Sequence, residues 1–271
     1  MSTRIAIVGG GPAGSLLAIL LARRGLAPIV VERSERFTRG TQRGGRSINL
    51  ALAARGIAAL RRAGIDADVA ELMIPMRGRM LHDLSGKQQF LSYGQRAKEE
   101  IYSVSRASLN TLLYEVAAER HGIEYRFEQP CVGVDADGTP LVVVNGRTER
   151  LEADVFFAAD GAGSEVRRSL AAAGAIEAHE VLLDHGYKEL TLSAAQDGSF
   201  ALEPHALHIW PRGGFMLIAL PNPDSTFTAT LFLPHEGSPS FASIGVRDAQ
   251  AFFKREFADA IPLLPTLTAD Y

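Results

Sequence analysis

The sequence has 271 residues, 46% hydrophobic and 22% charged, which is typical of a globular chain and excludes a disordered, collagen-like or coiled-coil protein. Its 28 basic and 31 acidic side chains give a net charge of −3, so no basic excess indicates binding to nucleic acid or to an anionic membrane. The single cysteine, Cys131, excludes an intramolecular disulfide, and because we find neither a cleavable signal nor a membrane-spanning apolar run, we expect a cytoplasmic protein.

The first predicted strand, residues 4–8, runs directly into a glycine-rich loop. Gly9, Gly11 and Gly14 form a G-x-G-x-x-G pattern, and a helix is predicted over residues 15–24. The first glycine permits a tight turn, the second lets the backbone approach a pyrophosphate, and the third lets the helix pack closely on the strand. The helix N-terminus adds free N–H groups that attract phosphate. This order of strand, loop and helix predicts a dinucleotide site.

An acidic residue, Glu32, ends the second predicted strand, residues 28–31, and lies 18 positions after Gly14. At this place a carboxylate accepts hydrogen bonds from ribose hydroxyls, whereas an arginine would accommodate a 2′-phosphate. We therefore expect FAD or NAD as the resident dinucleotide rather than NADP. The alternative is a glycine-rich turn without a ligand, which the combined context disfavours.

The middle of the chain is predicted to mix loops, helices and short strands. A polar loop at 33–43 is followed by a helix at 52–62 that is ended by Gly64. The alternating and turn-rich stretch at 73–94 indicates an excursion into a sheet. An amphipathic helix at 106–121 then precedes strands at 123–127 and 141–144, with a turn at 137–138 between them.

A second motif follows a strand predicted over residues 151–159. Asp160 and Gly161 end that strand, and a helix begins at about Glu165. Taken alone, this is an ordinary strand-to-helix turn with a capping residue. Together with the glycine loop, and with Ser164 and Arg167 downstream, it resembles the Asp-Gly motif of the flavin-dependent aromatic hydroxylases. The resemblance implies that the dinucleotide is FAD.

The pattern changes after residue 181. Strands are predicted at 187–192, 206–210, 215–220 and 227–233, separated by turn residues, and a helix at 247–257. This pattern is typical of an antiparallel sheet. The predicted fold is mixed α/β (α+β), with an FAD-binding βαβ Rossmann-like domain (1–72 and 99–178) and an inserted antiparallel-sheet substrate domain (73–98 and 179–271).

Five further strings carry a more specific resemblance. They are GRSINLAL at 45–52, IPMRGRM at 74–80, HGYKEL at 185–190, LHIWPR at 207–212 and FMLIALPN at 215–222. In this order they resemble the kynurenine 3-monooxygenase family, over residues 4 to about 264. The resemblance implies an FAD-dependent monooxygenase that uses NADPH and O₂, through a flavin C4a-hydroperoxide, to convert L-kynurenine to 3-hydroxykynurenine in tryptophan degradation.

Two alternatives stay open. One is a related flavin hydroxylase with another aromatic substrate. The other is a non-catalytic FAD-binding fragment, because the family's third flavin signature, a Gly-Asp turn expected after the inserted sheet, is not reached before Tyr271. We therefore expect the sequence to be the N-terminal portion of a longer enzyme. It gives no indication of oligomeric state or of the NADPH site.

The resemblance also assigns site residues. Arg79 is expected to bind the substrate carboxylate and Tyr93 to contact the substrate, although an exposed arginine and a turn-packing tyrosine are the ordinary interpretations. The apolar floor is expected from Leu207, Ile218, Leu220 and Phe232, of which the last three could equally be core. The cofactor set comprises Gly9, Gly11, Gly14, Glu32, Arg33, Arg46, Ala51, Arg106, Cys131, Asp160 and Gly161. The seven histidines form no metal-ligand pattern, and no acid–base residue is assigned because the flavin carries the chemistry.

Overall fold

The computed structural model describes residues 3–37, 48–94 and 99–271, which divide into two compact units. Of the described residues, the first unit contains 3–37, 58–69 and 107–181, and the second contains 48–57, 70–94, 99–106 and 182–271. These bounds differ from the predicted domains, which placed 48–57 and 99–106 with the flavin domain. The reason is strand pairing, because both segments contribute strands to one small sheet of the second unit.

The helices are short and follow the predicted order. They are α1 (Pro12–Ala22), α2 (Ala54–Ala63), α3 (Asp66–Ala70), α4 (Arg106–Glu115), α5 (Glu165–Ala172), α6 (Val246–Glu256) and α7 (Leu267–Asp270), with a π-helical continuation of α4 over Val116–Arg120 and a 3₁₀ turn over Ile261–Leu263.

The strands include several that the sequence pattern did not indicate. They are β1 (Ile5–Val8), β2 (Ile29–Val31), β3 (Asn49–Leu52), β4 (Ile74–Met76), β5 (Gly78–His82), β6 (Gln88–Ser92), β7 (Ile101–Ser105), β8 (Glu124–Arg126), β9 (Cys131–Val134), β10 (Pro140–Val144), β11 (Arg147–Arg150), β12 (Val155–Ala158), β13 (His185–Leu192), β14 (Ala206–Pro211), β15 (Met216–Pro221) and β16 (Phe227–Pro234).

The first unit is built on a parallel sheet of order β12-β1-β2-β8. All four residues of β1 are buried, as expected for a central strand covered on both faces. Val8 pairs with Ala158 on one side and Val31 on the other, so three strands end at the same edge. That edge is where the loops after β1, β2 and β12 meet.

An antiparallel sheet of order β11-β10-β9 completes the first unit. The predicted turn at 137–138 is present, but it joins β9 to β10 rather than β8 to β10. The prediction failed there because β8 pairs with β2 in the parallel sheet. Only the strand pairing, and not the local alternation, distinguishes the two arrangements.

The second unit contains a six-stranded sheet of order β13-β16-β15-β14-β5-β6 and a small sheet of order β3-β7-β4. The predicted antiparallel pairing is confirmed for β13, β16, β15 and β14. The β14–β5 pair is parallel, and β5 comes from a distant part of the chain, so the pattern after residue 181 did not indicate it. One face of the larger sheet packs on the aromatic residues of α6, and its core includes Trp210, Leu217, Phe227, Phe253 and Phe257.

No helix in the described part of the chain combines the length and apolarity that a membrane span requires.

His208, a fully buried residue of β14, gives the second unit a predictable acid sensitivity. Burial lowers the pKa of His208 from 6.5 to about 4. Between these two pH values His208 is protonated in the unfolded chain but neutral in the folded one. The free energy of unfolding therefore falls by about 3 kcal/mol as pH drops from about 6.5 to about 4. Urea unfolding at several pH values measures this loss. Replacing His208 with glutamine should make the free energy of unfolding less dependent on pH between about 6.5 and about 4. An unchanged pH dependence would show that His208 is not its source.

Candidate functional site

Three glycines of the loop after β1 serve different purposes. Gly9 has φ +104°, and a Cβ there would lie 2.5 Å from the carbonyl oxygen of Ala159. A Cβ on Gly14 would overlap the carbonyl oxygen of Gly9. A Cβ on Gly11 would meet nothing within 4 Å, and its φ of −67° is open to any residue. The fold therefore requires Gly9 and Gly14, whereas Gly11 leaves room for an approaching group.

The space beside Gly11 lies at the N-terminus of α1. Gly11 precedes the helix, Pro12 occupies its first turn, and that turn contains no acidic residue. No side chain among the described residues caps the helix. Uncapped N–H groups and the partial positive charge of a helix N-terminus attract an anion such as a pyrophosphate. The loop thus fits the phosphates of a dinucleotide.

Glu32 lies at the same sheet edge and is almost fully buried. One carboxylate oxygen accepts a hydrogen bond from the Gly10 N–H at 2.7 Å, and the other accepts one from the Ser34 N–H at 2.9 Å. Glu32 therefore ties the glycine loop to the end of β2. Since each carboxylate oxygen has a second lone pair, the same side chain retains acceptor capacity for a ribose hydroxyl.

A second contact to the loop comes from Tyr125 of β8, which the sequence analysis did not identify. The Tyr125 hydroxyl donates to Ser15 Oγ at 2.9 Å, and the Ser15 hydroxyl donates to the Gly10 carbonyl at 2.9 Å. Burial raises the pKa of Tyr125 to about 12, so its hydroxyl stays a donor. These two hydrogen bonds connect β8 to the glycine loop through Ser15. No local sequence motif indicates them.

The Asp-Gly turn after β12 lies at the same edge of the sheet. One Asp160 oxygen accepts hydrogen bonds from the N–H groups of Glu165, at 2.8 Å, and Val166, at 3.3 Å. Gly161 has φ +83°, a conformation that favours glycine. Ser164 also caps α5 through the Arg167 N–H at 3.0 Å. The turn therefore has a capping role, and a cofactor role for Asp160 and Gly161 stays a prediction.

Two substitutions of Asp160 separate these roles. Asp160→Ala removes the acceptor from the start of α5 and should destabilise the protein by about 1 kcal/mol. Asp160→Asn keeps an acceptor oxygen and should restore most of that stability. If Asp160 also contacts the cofactor through its charge, FAD binding should stay weakened in Asp160→Asn, as measured by fluorescence titration. Equal FAD affinity in Asp160→Asn and the parent protein would show that Asp160 caps α5 but does not contact the cofactor through its charge.

The remaining predicted cofactor residues of the first unit differ in exposure. Cys131 on β9 is half-buried, and its thiol donates to the Gly133 carbonyl at 3.3 Å. Burial raises the pKa of the Cys131 thiol, which keeps it protonated and unreactive. Arg33 follows Glu32 and is exposed.

Three predicted cofactor residues do not belong to the described first unit. Ala51 lies in β3, and Arg106 begins α4 with its N–H donating to the Ile48 carbonyl at 3.1 Å; both belong to the second unit. Arg46 lies outside the described residues. Their cofactor roles stay predictions.

The predicted substrate residues of the second unit share one face of the six-stranded sheet. Along β15 and β16, Leu217 and Leu231 point into the core, so the alternate residues lie on the opposite face. That opposite face carries Leu207, Ile218, Leu220 and Phe232. Arg79 of β5 is the register partner of Leu207 and belongs to the same face. The structure therefore places a cation beside a row of apolar side chains.

Tyr93 lies immediately after β6 and next to Arg79. The Arg79 guanidinium carbon is 5.1 Å from the centroid of the Tyr93 ring. The Tyr93 hydroxyl is buried and has no hydrogen-bond partner among the described residues. Burial raises the pKa of Tyr93, and Arg79 offsets this only partly. A buried unpaired hydroxyl beside a guanidinium suits a polar ligand group such as a carboxylate.

Comparison with curated proteins finds kynurenine 3-monooxygenases as relatives. The chain is 45% identical to the protein of Stenotrophomonas maltophilia (strain K279a), over 100% of the chain and 60% of the relative. It is 42% identical to that of Myxococcus xanthus (strain DK1622) and 39% identical to that of Dictyostelium discoideum, each over 58% of the relative. The chain thus spans about 60% of the length of the curated relatives that it matches.

Comparison with solved structures and with family profiles gives a consistent result. The fold resembles a variant of 2-methyl-3-hydroxypyridine-5-carboxylic acid oxygenase, with a TM-score of 0.74 and 19% identity over 100% of this chain and 67% of that one. It also resembles a flavin-dependent monooxygenase solved with FAD and substrate, with a TM-score of 0.73 and 20% identity over 95% of this chain and 47% of that one. Residues 2–239 match the profile described as FAD binding domain, and the chain therefore belongs to the FAD-binding domain family.

Proposed function

We propose that this protein is an FAD-dependent monooxygenase that hydroxylates L-kynurenine to 3-hydroxykynurenine with NADPH and O₂. The observation that carries the proposal is the face of the second unit on which Arg79 and Tyr93 adjoin apolar side chains. Kynurenine combines an amino-acid carboxylate with an aniline ring, and this face offers a partner for each. The names of the curated relatives support the same substrate.

The first unit would hold the FAD. Gly11 and the N-terminus of α1 would accept the pyrophosphate, and Glu32 would accept hydrogen bonds from the ribose. When bound, FAD supplies the redox and oxygen chemistry that no side chain can provide. The loop is prepared for this role because Glu32 already fixes it through the Gly10 N–H.

The second unit would bind and orient the substrate. The planar guanidinium of Arg79 can form two parallel charge-assisted hydrogen bonds to a carboxylate, and the Tyr93 hydroxyl would gain the partner that it lacks. Packing the ring on the apolar face would fix its orientation and exclude water, which protects reactive oxygen species from unproductive decay. The chain's own contribution is therefore positioning and exclusion of solvent.

The test is substrate-stimulated NADPH oxidation by the full product of the gene, loaded with FAD. L-Kynurenine should accelerate NADPH consumption and yield 3-hydroxykynurenine, whereas 2-aminobenzoate and 4-hydroxybenzoate should do neither. Stimulation by another aromatic acid instead would favour a related hydroxylase with a different substrate. FAD binding without stimulation by any of these compounds would favour a non-catalytic flavin-binding role.

A further inference from the structure

A chain of hydrogen bonds crosses the core of the second unit on the opposite face from Arg79. His82 Nδ1 lies 2.8 Å from a carboxylate oxygen of Asp259, and His82 Nε2 lies 2.9 Å from His208 Nδ1. His208 Nε2 lies 2.8 Å from the carbonyl oxygen of Glu203. Both histidines are fully buried, and the His82 ring stacks on Trp210 with centroids 4.0 Å apart. His208 and Trp210 lie in the LHIWPR string, but the sequence assigned no role to any of these residues.

The acceptors at the two ends of the chain determine where its protons lie. A carbonyl oxygen only accepts, so the Glu203 carbonyl requires a proton on His208 Nε2. Neutral His208 then has a bare Nδ1, which requires a proton on His82 Nε2. Burial, which lowers the pKa of His208, keeps that ring neutral.

At the other end, the Trp210 indole N–H lies 3.0 Å and 2.8 Å from the two oxygens of Asp259. Burial alone would raise the pKa of Asp259, but the hydrogen bonds from His82 and Trp210 outweigh it and lower that pKa. Asp259 is therefore a carboxylate, which accepts from His82 Nδ1. Both nitrogens of His82 then carry a proton, and the ring is an imidazolium.

The other charged groups near this chain have partners of their own. Arg212, which follows β14, donates to the carbonyls of Glu256 and His82 at 2.6 Å and 3.0 Å, so it is directed at backbone oxygens. Asp83, which follows β5, accepts hydrogen bonds from the Ser85 hydroxyl and N–H and from the Lys87 N–H. Asp259 also interacts electrostatically with Arg212, and the Glu203 carboxylate with His208, but the hydrogen bonds of Asp259 are to His82 and Trp210, so Asp259 is the hydrogen-bonded counter-ion of His82.

The hydrogen-bond chain links β5 and β14, two strands that are not consecutive in sequence. β5 and β14 pair in parallel over four register pairs, which include Arg79 with Leu207, although they are more than 120 residues apart in sequence. Met80 and His82 lie on the core face of β5, while Arg79 lies on the other face. Hydrogen bonds that fix the position of His82 therefore also fix the backbone of β5, from which the Arg79 side chain extends.

We propose that Asp259, His82 and His208 form a charged positioning chain, with His82 as the cation paired with Asp259, that aligns β5 and so places Arg79 for the substrate carboxylate. The part of this proposal that concerns the substrate rests on the proposed function, whereas the charge of His82 does not. Asp259, His82 and His208 act through Arg79 and are positioning residues.

The test combines ¹⁵N NMR of the histidine side chains with L-kynurenine titration. In the parent protein at pH 7, His82 should show two protonated ring nitrogens and His208 one. Asp259→Asn removes the carboxylate charge that stabilises the imidazolium and leaves a neutral side chain of the same size, so His82 should lose one proton and its hydrogen bond to residue 259 should weaken. Kynurenine affinity should fall about three- to tenfold, FAD affinity should be unchanged, and Asp259→Glu should restore part of the loss.

The outcomes are distinguishable. A bare nitrogen on His82 in the parent protein would overturn the imidazolium, and unchanged kynurenine affinity in Asp259→Asn would overturn the positioning role. If the parent protein does not bind kynurenine at all, the proposed function fails while the NMR result still decides the charge. Asp197→Asn, an exposed turn carboxylate that bonds Ser199 in the same unit, is the matched control and should change nothing. If Asp259→Asn does not fold, His82→Gln gives the same comparison of kynurenine and FAD affinity.

Discussion

Replacing Gly14 with alanine should destabilise the protein severely, whereas replacing Gly11 with valine should leave it folded and abolish FAD binding. A Cβ on Gly14 would overlap the Gly9 carbonyl, and relieving that overlap requires movement of backbone, at a loss of about 3 kcal/mol or more. A Cβ on Gly11 has no protein atom within 4 Å, which leaves room for a larger side chain, so the effect on stability should stay within about 1 kcal/mol, the scale of a changed helix cap.

The two variants are compared by thermal unfolding and by FAD titration. The isopropyl group of Gly11→Val would occupy the space where the pyrophosphate must approach, and we expect FAD affinity to fall by at least about a hundredfold, roughly 3 kcal/mol. Gly214→Val is the control, because Gly214 also has open space around it and lies in a turn between β14 and β15. Full FAD binding by a folded Gly11→Val protein would remove the loop from the cofactor site.

Replacing Arg79 with alanine should weaken L-kynurenine binding by roughly ten- to hundredfold, because a charge-assisted bond to a carboxylate contributes about 1.5–3 kcal/mol. FAD content should be unchanged. Arg79→Lys should recover only part of the affinity, since an ammonium group keeps the charge but not the planar pair of donors. Spectral titration of the FAD-loaded protein with kynurenine measures each affinity.

Arg77 provides the matched control for Arg79. It is also an exposed arginine, two residues earlier and before the start of β5. Arg77→Ala removes the same charge from the same region, so a general electrostatic effect on an anionic substrate would appear in both variants. A loss confined to Arg79→Ala supports direct recognition, and equal affinity in Arg79→Ala and the parent protein would exclude Arg79 from the site.

The flavin-binding part of the fold was predictable because its signals are local. The strand, glycine loop and helix follow one another without interruption, and the acid lies at the end of the next strand, so residues 4–32 predict their own arrangement. The interaction between Glu32 and the Gly10 N–H was not predictable. It depends on how β1 and β2 pair, which composition and spacing do not encode.

The arrangement of the second unit was less predictable because its pairing is long-range. Four strands after residue 181 follow from their alternation, but the parallel partner of β14 is β5, a strand from residues 78–82. The same limit applies to His82, His208 and Asp259. His208 lies in the LHIWPR string, but no local pattern assigns a role to it, to His82 or to Asp259, and only the β5–β14 register brings the two histidines within hydrogen-bond distance.

Hydroxylation of kynurenine by this protein is tested most directly by mass spectrometry of the product formed under ¹⁸O₂. The full gene product, loaded with FAD and supplied with NADPH and L-kynurenine, should yield 3-hydroxykynurenine that carries one ¹⁸O atom on the ring carbon next to the amine-bearing carbon. The amount of labelled product should approach the amount of NADPH consumed. Consumption of NADPH with no labelled 3-hydroxykynurenine would contradict the proposed hydroxylation.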